Sequence, residues 1–537
     1  MSAVAPAEVM TQQETRNVWP IMSGVLLALL VASLDQTVVS TAMPKVIASL
    51  QGFDRYAWVA TAYMLASTVT VPIYGKLSDI IGRKRVFLFG NIVFLLGSIL
   101  SGASQSMNQL ILFRGLQGLG AGATMPIAFA IVGDLFPPRE RGKIQGLTGA
   151  VWGLSAIIGP ALGGWITDGP GWRWVFYINV PIGIITIGVL AVLMPPMRQS
   201  NTSSKVDWLG AVLLVCSAVP LLLAFTWAGS TYPWGSVQII GLLAVAVAIG
   251  WVFARYEMTA EQPILDPRLF RNPIFADSVL ITFLIGAGMF GAISYIPLFV
   301  QGVIGASATG SGAVLTPLMV TAIAGSVISG QLMSRLGRYR NIALAGLLIM
   351  MAGTVIMARL TINSTTTDVA IGMVVLGLGL GLGMSLYTVV VQNAFSRDKL
   401  GQVTSALTFF RSIGGTIGIA VMGSFLTGNF SSALRSHMAP AARAAIPQSV
   451  MNQFSNPQVL LSSETYARLK AEFAHLPDGH ALLQAFTAAT RAALASSLHD
   501  VFLVGLAISG LAFIAALFLQ EIPLRGRDSV SLPDQAA

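Results

Sequence analysis

Asp35 is the first residue from which chemistry can be argued. It sits in Leu34-Asp35-Gln36-Thr37-Val38-Val39-Ser40-Thr41-Ala42-Met43-Pro44, near the close of an apolar run that begins around Val18 and carries no other charge until Lys45. A run of that length spans a bilayer. A carboxylate inside it costs roughly 2.5–3.5 kcal/mol on insertion scales, so it must face a cavity or a partner rather than lipid. The stretch from Asp35 to Ala42 rises about 10 Å along a helix, which sets the acid below the surface. The chemistry open to it there is reversible protonation on an ion or proton path. Arg114 is its natural counterpart, heading Arg114-Gly-Leu-Gln117-Gly118-Leu-Gly120-Ala-Gly122 in the fourth apolar run. Arg114 lies about 7–8 Å in from Gln109, at a depth similar to Asp35. A buried arginine needs an anionic or carbonyl partner, here Asp35 or backbone carbonyls of the first span. Ion pairing favours a charged carboxylate and burial a neutral one, so an acid held between the two can switch as a cavity opens and closes.

Two further stretches carry a pattern. Gly75-Lys-Leu-Ser-Asp79-Ile-Ile-Gly82-Arg83-Lys84-Arg85 joins the second and third runs. Its glycines permit a tight turn and close helix approach, and Asp79 suits a helix N-terminus, whose partial positive charge favours a carboxylate. Ser155-Ala-Ile-Ile-Gly159-Pro160-Ala-Leu-Gly163-Gly164 lies in the fifth run. Small residues there let helices pack closely, and proline frees a carbonyl and bends the helix. Both patterns echo later in the chain. Gly75-Lys-Leu with Gly82-Arg83 returns as Gly330-Gln331-Leu332 with Gly337-Arg338 at the same internal spacing, and Ile158-Gly159-Pro160-Ala161 returns as Ile417-Gly418-Ile419-Ala420. Parallel halves of this kind mark transporters with a midplane site between them.

The elements that must position these residues are membrane helices. The chain has 537 residues, 54% of them hydrophobic and only 10% charged, with a mean hydropathy of +0.74; soluble domains carry about 25% charge. Apolar runs near 18–42, 56–76, 86–104, 109–133, 143–166, 174–195, 207–228, 236–254, 275–302, 308–333, 341–361, 367–394, 401–427 and 499–520 give about fourteen spans. The net charge of +9 gathers in alternate loops, around Arg83–Arg85, Arg139–Lys143, Arg198 and Lys205, Arg255–Arg271, Arg335–Arg340, Arg397–Lys399 and Arg525–Arg527. By the positive-inside rule these loops and both termini are cytoplasmic, and the distribution excludes nucleic acid as the partner. The expected organisation is a tail over 1–17, a six-helix half over 18–200, an inserted helix pair over 201–258, a second six-helix half over 259–524 with a long outer loop at 428–498, and a tail over 525–537. In that loop Ser463–Leu476 reads as an amphipathic helix, with Leu469 and Phe473 four apart. His437, His475, His480 and His499 fall at spacings that match no metal motif. No phosphate-binding Gly-x-x-x-x-Gly-Lys-Ser/Thr stretch and no convergent Ser/His/Asp set occurs, which argues against an ATPase or a membrane enzyme. The lone Cys216 permits no intrachain disulfide.

With these residues in view, the chain resembles the major facilitator superfamily, in its fourteen-helix branch of drug:proton antiporters. Asp35 and its flank match the first-helix motif of that branch. Gly75–Arg85 resembles the superfamily loop motif, Arg114–Gly122 the fourth-helix motif, and Ser155–Gly164 the antiporter motif. Arg411-Ser-Ile-Gly414-Gly415 is also similar to the branch. The resemblance implies an all-α polytopic fold of two six-helix halves and two inserted helices. It makes Asp35 the proton-coupling carboxylate and Arg114 its modulator. Gly75, Asp79, Gly82, Arg83 and Asp134 would form a gating charge relay, and Gly159, Pro160, Gly163 and Gly164 the antiporter motif. The candidate cavity residues are Gln117, Phe290, Tyr295, Tyr387, Gln392, Asn393 and Arg411.

The expected activity is proton-coupled export of amphiphilic small molecules by alternating access, from a monomer in the plasma (inner) membrane, with no cofactor or metal and the proton gradient as driving force. The spans over 308–333, 341–361 and 367–394 offer no acid beyond Asp368 at a helix mouth. That directs the expectation to lipophilic neutral or monovalent cationic substrates. Two other readings stand beside it: export of one dedicated metabolite, siderophore or lipid, and a non-transporting sensor on the same fold.

Overall fold

The computed structural model describes residues 18–50, 56–195, 206–229, 231–306, 308–454, 460 and 463–524. The terminal tails, Arg198 and Lys205 lie outside the described residues. In chain order the helices are α1 Val18–Leu50, α2 Tyr56–Ile81, α3 Arg83–Ala103, α4 Met107–Ala121, α5 Thr124–Leu135, α6 Pro138–Asp168, α7 Trp174–Tyr177, α8 Asn179–Leu193, α9 Trp208–Trp227, α10 Val237–Glu257, α11 Pro273–Gly302, α12 Ala308–Leu336, α13 Arg340–Ala358, α14 Thr366–Met384, α15 Leu386–Ala394, α16 Leu400–His437, α17 Pro440–Ala445, α18 Gln448–Phe454, α19 Ser463–Ala474 and α20 Gly479–Leu517. No strand occurs among the described residues, as expected where hydrocarbon leaves backbone groups no partner but their own helix.

Among the described residues, twelve helical rods are long and apolar enough to cross a membrane, with α4–α5, α7–α8 and α14–α15 each counted as one rod. At 26 and 31 residues, α2 and α6 are also of membrane-spanning length. They correspond to the sequence runs 56–76 and 143–166, the two of the fourteen that fall outside this count. Helix starts are chemically marked. Ser106 accepts from Gln109 N–H ahead of α4, Asp207 from Gly210 N–H ahead of α9, and Asn272 caps α11 with Pro273 behind it. Asp368 belongs to a capping box with Thr365 at the start of α14, so its charge serves the helix end.

The chain falls into two compact units. The first takes the chain as far as Pro137, Leu154–Val206 and Arg397–Ser405. Within it α4 lies against both α2 and α3. A side chain at Gly118 would run into the backbone of Tyr63, so only glycine lets α4 approach α2 this closely. The second unit takes Pro138–Gly153, Asp207–Ser396 and the chain from Ala406. There α9 and α10 form a hairpin, and α11–α15 share a continuous core with α20.

The segment 428–498, expected as a long outer loop with one amphipathic helix at Ser463–Leu476, has that helix as α19 and is helical over most of its other described residues. α16 runs on to His437, α20 begins at Gly479, and α17–α19 lie between them. Leu434, Met438, Ile446, Val450, Leu469, Phe473, Leu483 and Phe486 are all buried together there. Their spacing among charged residues kept the mean composition polar while supplying one apolar face per helix. At the other end of this unit, Tyr339 holds the chain after α20. Its N–H donates to Glu521 Oε1 (3.0 Å), its hydroxyl donates to Gln520 O (2.6 Å) and accepts from Ile522 N–H (3.0 Å). Burial pushes the Tyr339 hydroxyl above its ordinary pKa, which keeps it a donor.

Candidate functional site

Asp35 is buried to 1% exposure on α1 and gathers three donors. Arg114 Nη1 donates to its Oδ2 at 2.6 Å. Gln117 Nε2 donates to Oδ1 at 2.9 Å, and Asn179 Nδ2 to the same oxygen at 2.8 Å. Arg114 and Gln117 stand three apart on α4 and so share one face. They are joined to each other, Nη1 to Gln117 Oε1 at 2.7 Å. The guanidinium lies over the Tyr63 ring at 4.2 Å and near Phe176 at 5.9 Å, a cation–π setting that favours the delocalised arginine cation. Of the two partners open to Arg114 in the sequence, the structure takes the carboxylate. Asp35 and Arg114 form a buried ion pair, and removing either member of such a pair strands a charge in apolar surroundings.

The Ser155–Gly164 stretch of α6 packs on the flank of the same helix. Ser33 and Ser155 hydroxyls meet at 2.6 Å, and Thr37 Oγ1 donates to Ser155 O at 3.2 Å. A side chain at Gly159 would collide with Thr37. Ser33 and Thr37 are one turn apart, so α6 grips one face of α1 while Asp35 is held on another by α4 and α8. Gly163 is buried in the same helix, whereas Gly164 has open space beside it.

A second charged group lies in the same unit. Arg83, fully buried, donates from Nη1 to Asp79 Oδ1 and to Ser78 Oγ (2.6 Å), and from Nε to Asp134 Oδ2 at 2.9 Å. Asp79 also accepts Gly401 N–H at 3.1 Å and Gln402 N–H at 2.9 Å, in the first turn of α16. A carboxylate on orphan N–H groups at a helix start is the arrangement its position in the motif anticipates. A side chain at Gly75 would meet Ser405 and the Gly401 carbonyl, so the glycine sets how closely α16 begins against α2. Gly82, at φ 98°, makes the turn into α3. In the second unit the repeat glycine Gly330 lies backbone-to-backbone on Gly142 of α6.

The remaining cavity candidates are placed in the second unit. Phe290 lies beside Gly415 and Arg411 beside Gly286, along a seam of α11 with α16. Tyr295 donates its hydroxyl to Ile419 O at 2.8 Å across that seam. Tyr387 is buried in α15, with no acceptor for its hydroxyl among the described residues. Asn393 gives its amide to Pro523 O at 3.2 Å and Gln392 its carbonyl to Arg141, which ties both to the end of α15. Met350, Met357 and Met422 line a small apolar cavity with Gly288 and Phe502. Of the four histidines, His499 meets Ala358 O at 2.5 Å and His437 meets Ala433 O at 2.9 Å.

The profile of the Major Facilitator Superfamily matches residues 25–419. The chain belongs to the Major Facilitator Superfamily. Multidrug transporter protein MdtP of Bacillus subtilis (strain 168) is 38% identical over 513 residues, covering 94% of each chain. Multidrug resistance protein 3 of the same organism is 39% identical over 502 residues, covering 93% of this chain and 94% of its own. Among solved structures, the human organic anion transporter MFSD10 superposes with a TM-score of 0.58 at 13% identity, covering 91% of this chain and 99% of its own. This facilitator-superfamily chain is therefore a multi-pass membrane transporter and not an enzyme. Asn179 is the site residue the sequence reading passed over. Its signal was a lone amide inside the apolar run 174–195, two residues before Pro181.

Proposed function

We propose that this transporter exports lipophilic neutral or monovalent cationic small molecules in exchange for protons. One observation carries the reading: a buried carboxylate, Asp35, whose charge is met by Arg114 and by the Gln117 and Asn179 amides. An acid so placed has two states open to it, charged and ion-paired or neutral with the arginine released. In the cycle, a proton arriving from outside neutralises Asp35 and displaces substrate, and the inward-facing carrier releases that proton and reloads. The proton gradient supplies the energy and no cofactor takes part.

Asp79, Arg83 and Asp134 act as a latch on the first turn of α16 that must let go for the inner side to open. The protein works as a monomer in the plasma membrane with both termini cytoplasmic. The names of the Bacillus relatives support multidrug export. The absence of an acid on the spans of α12–α14, other than the helix-capping Asp368, supports substrates of low charge. The test is uptake of lipophilic monovalent dyes and uncharged amphiphiles into everted vesicles under an imposed pH gradient. The proposal expects uptake of several unrelated compounds, abolished by a protonophore. Uptake of none, or of one metabolite alone, would replace multidrug export with a dedicated exporter.

A further inference from the structure

We propose that Asn179 is a positioning residue for Asp35, one that fixes which carboxylate oxygen takes the transported proton. The inference rests on the proton-exchange reading of Asp35 and goes beyond it to the atom. Ser98 donates its only hydroxyl hydrogen to Phe176 O at 2.8 Å. Its oxygen can then only accept, and it does so from Asn179 Nδ2 at 3.0 Å. One hydrogen of that amide is thereby committed, the amide orientation is settled, and the second hydrogen points at Asp35 Oδ1 at 2.8 Å. The chain of donors starts at a backbone carbonyl and contains no titratable group, so its polarity is the same at every pH.

Gln117 Nε2 donates to the same Oδ1, which thus faces two amide donors that cannot turn into acceptors without breaking their other bonds. Protonating Oδ1 would set its new O–H against both. Among the described residues Oδ2 faces Arg114 Nη1 alone, and Arg114 keeps Gln117 Oε1 and the Tyr63 ring when that contact is lost. The proton therefore forms its O–H bond at Oδ2. The Arg114–Oδ2 hydrogen bond breaks, and Oδ1 remains the carbonyl oxygen, still held by Asn179. Local structure makes this possible. The rod formed by α7 and α8 is interrupted at Ile178, which brings Asn179 to the head of α8 and the Phe176 carbonyl within reach of Ser98 on α3.

The test is infrared difference spectroscopy of the reconstituted full chain, stepped between neutral and acid buffer. The carboxylic C=O stretch that appears on acidification is assigned to Asp35 by its loss in Asp35→Asn. With the proton on Oδ2, the C=O is Oδ1. Asn179→Leu then removes one of its two donors and moves the band to higher frequency. Ser98→Ala frees the amide without removing it and moves the band the same way by less. A purely structural role for Asn179 would leave the band in place. A band at the wild-type frequency in both variants would overturn the proposal, since it would put the proton on the other oxygen. Should wild type show no band that Asp35→Asn removes, the proton-exchange reading fails and takes this inference with it.

Discussion

Arg114 makes two hydrogen bonds from one nitrogen, to Asp35 and to Gln117, and lays its plane on Tyr63. A lysine keeps the charge but is a point donor without a face to stack. Arg114→Lys is therefore expected to slow coupled transport about tenfold or more, the effect of losing roughly 1.5–3 kcal/mol of charge-assisted bonding. Initial rates in proteoliposomes check it, and a rate near wild type would show that charge alone suffices. This pair was legible in the sequence because two charges in apolar runs fell at the same depth, and buried charge must find a counter-charge. Asn179 was not legible in the same way. An amide costs far less to bury than a carboxylate, so its presence in an apolar run demands less explanation, and only the interruption of its rod shows what it faces.

At the scale of elements, what matters is how helices are held at their ends and crossings. Asp79 satisfies Gly401 and Gln402 N–H groups at the start of α16 while neutralising Arg83. Asp79→Ala removes both roles and is expected to cost about 3–5 kcal/mol, as for breaking a buried pair. Asp79→Asn, which keeps an acceptor, should cost less. Thermal unfolding in detergent would order them wild type, Asp79→Asn, Asp79→Ala; equal midpoints for the two variants would mean that the charge and not the caps dominates. Gly75→Leu has no room beside Ser405 and should lower the midpoint as well, by an overpacking cost of about 1–3 kcal/mol. The sequence suggested that Asp79 would meet a helix start. Which helix it meets depends on contacts between residues more than 300 positions apart, and no local pattern carries that.

For the whole molecule, composition and periodicity identified an all-helical membrane protein, and the family match over residues 25–419 places it among facilitator transporters. In the polar segment 428–498 the sequence marked Leu469 and Phe473 as one apolar helix face, and the structure buries them in a small core with Leu434 and Phe486, whose place in it no local pattern gave. Phe473 is 1% exposed and rests 5.6 Å from the Phe486 ring. Phe473→Ala should cost about 3–5 kcal/mol locally. It should speed hydrogen exchange in α19 and the start of α20 while leaving α1–α5 protected, and faster exchange throughout both units would show that this core supports the entire fold.

The most direct test of the account is proton release from acid-loaded proteoliposomes on adding a lipophilic monovalent dye, with wild type compared with Asp35→Asn. The account predicts dye-dependent proton movement in wild type and none in the variant, although the variant is folded and still binds dye. Proton movement that survives in Asp35→Asn would contradict it and move coupling to another group.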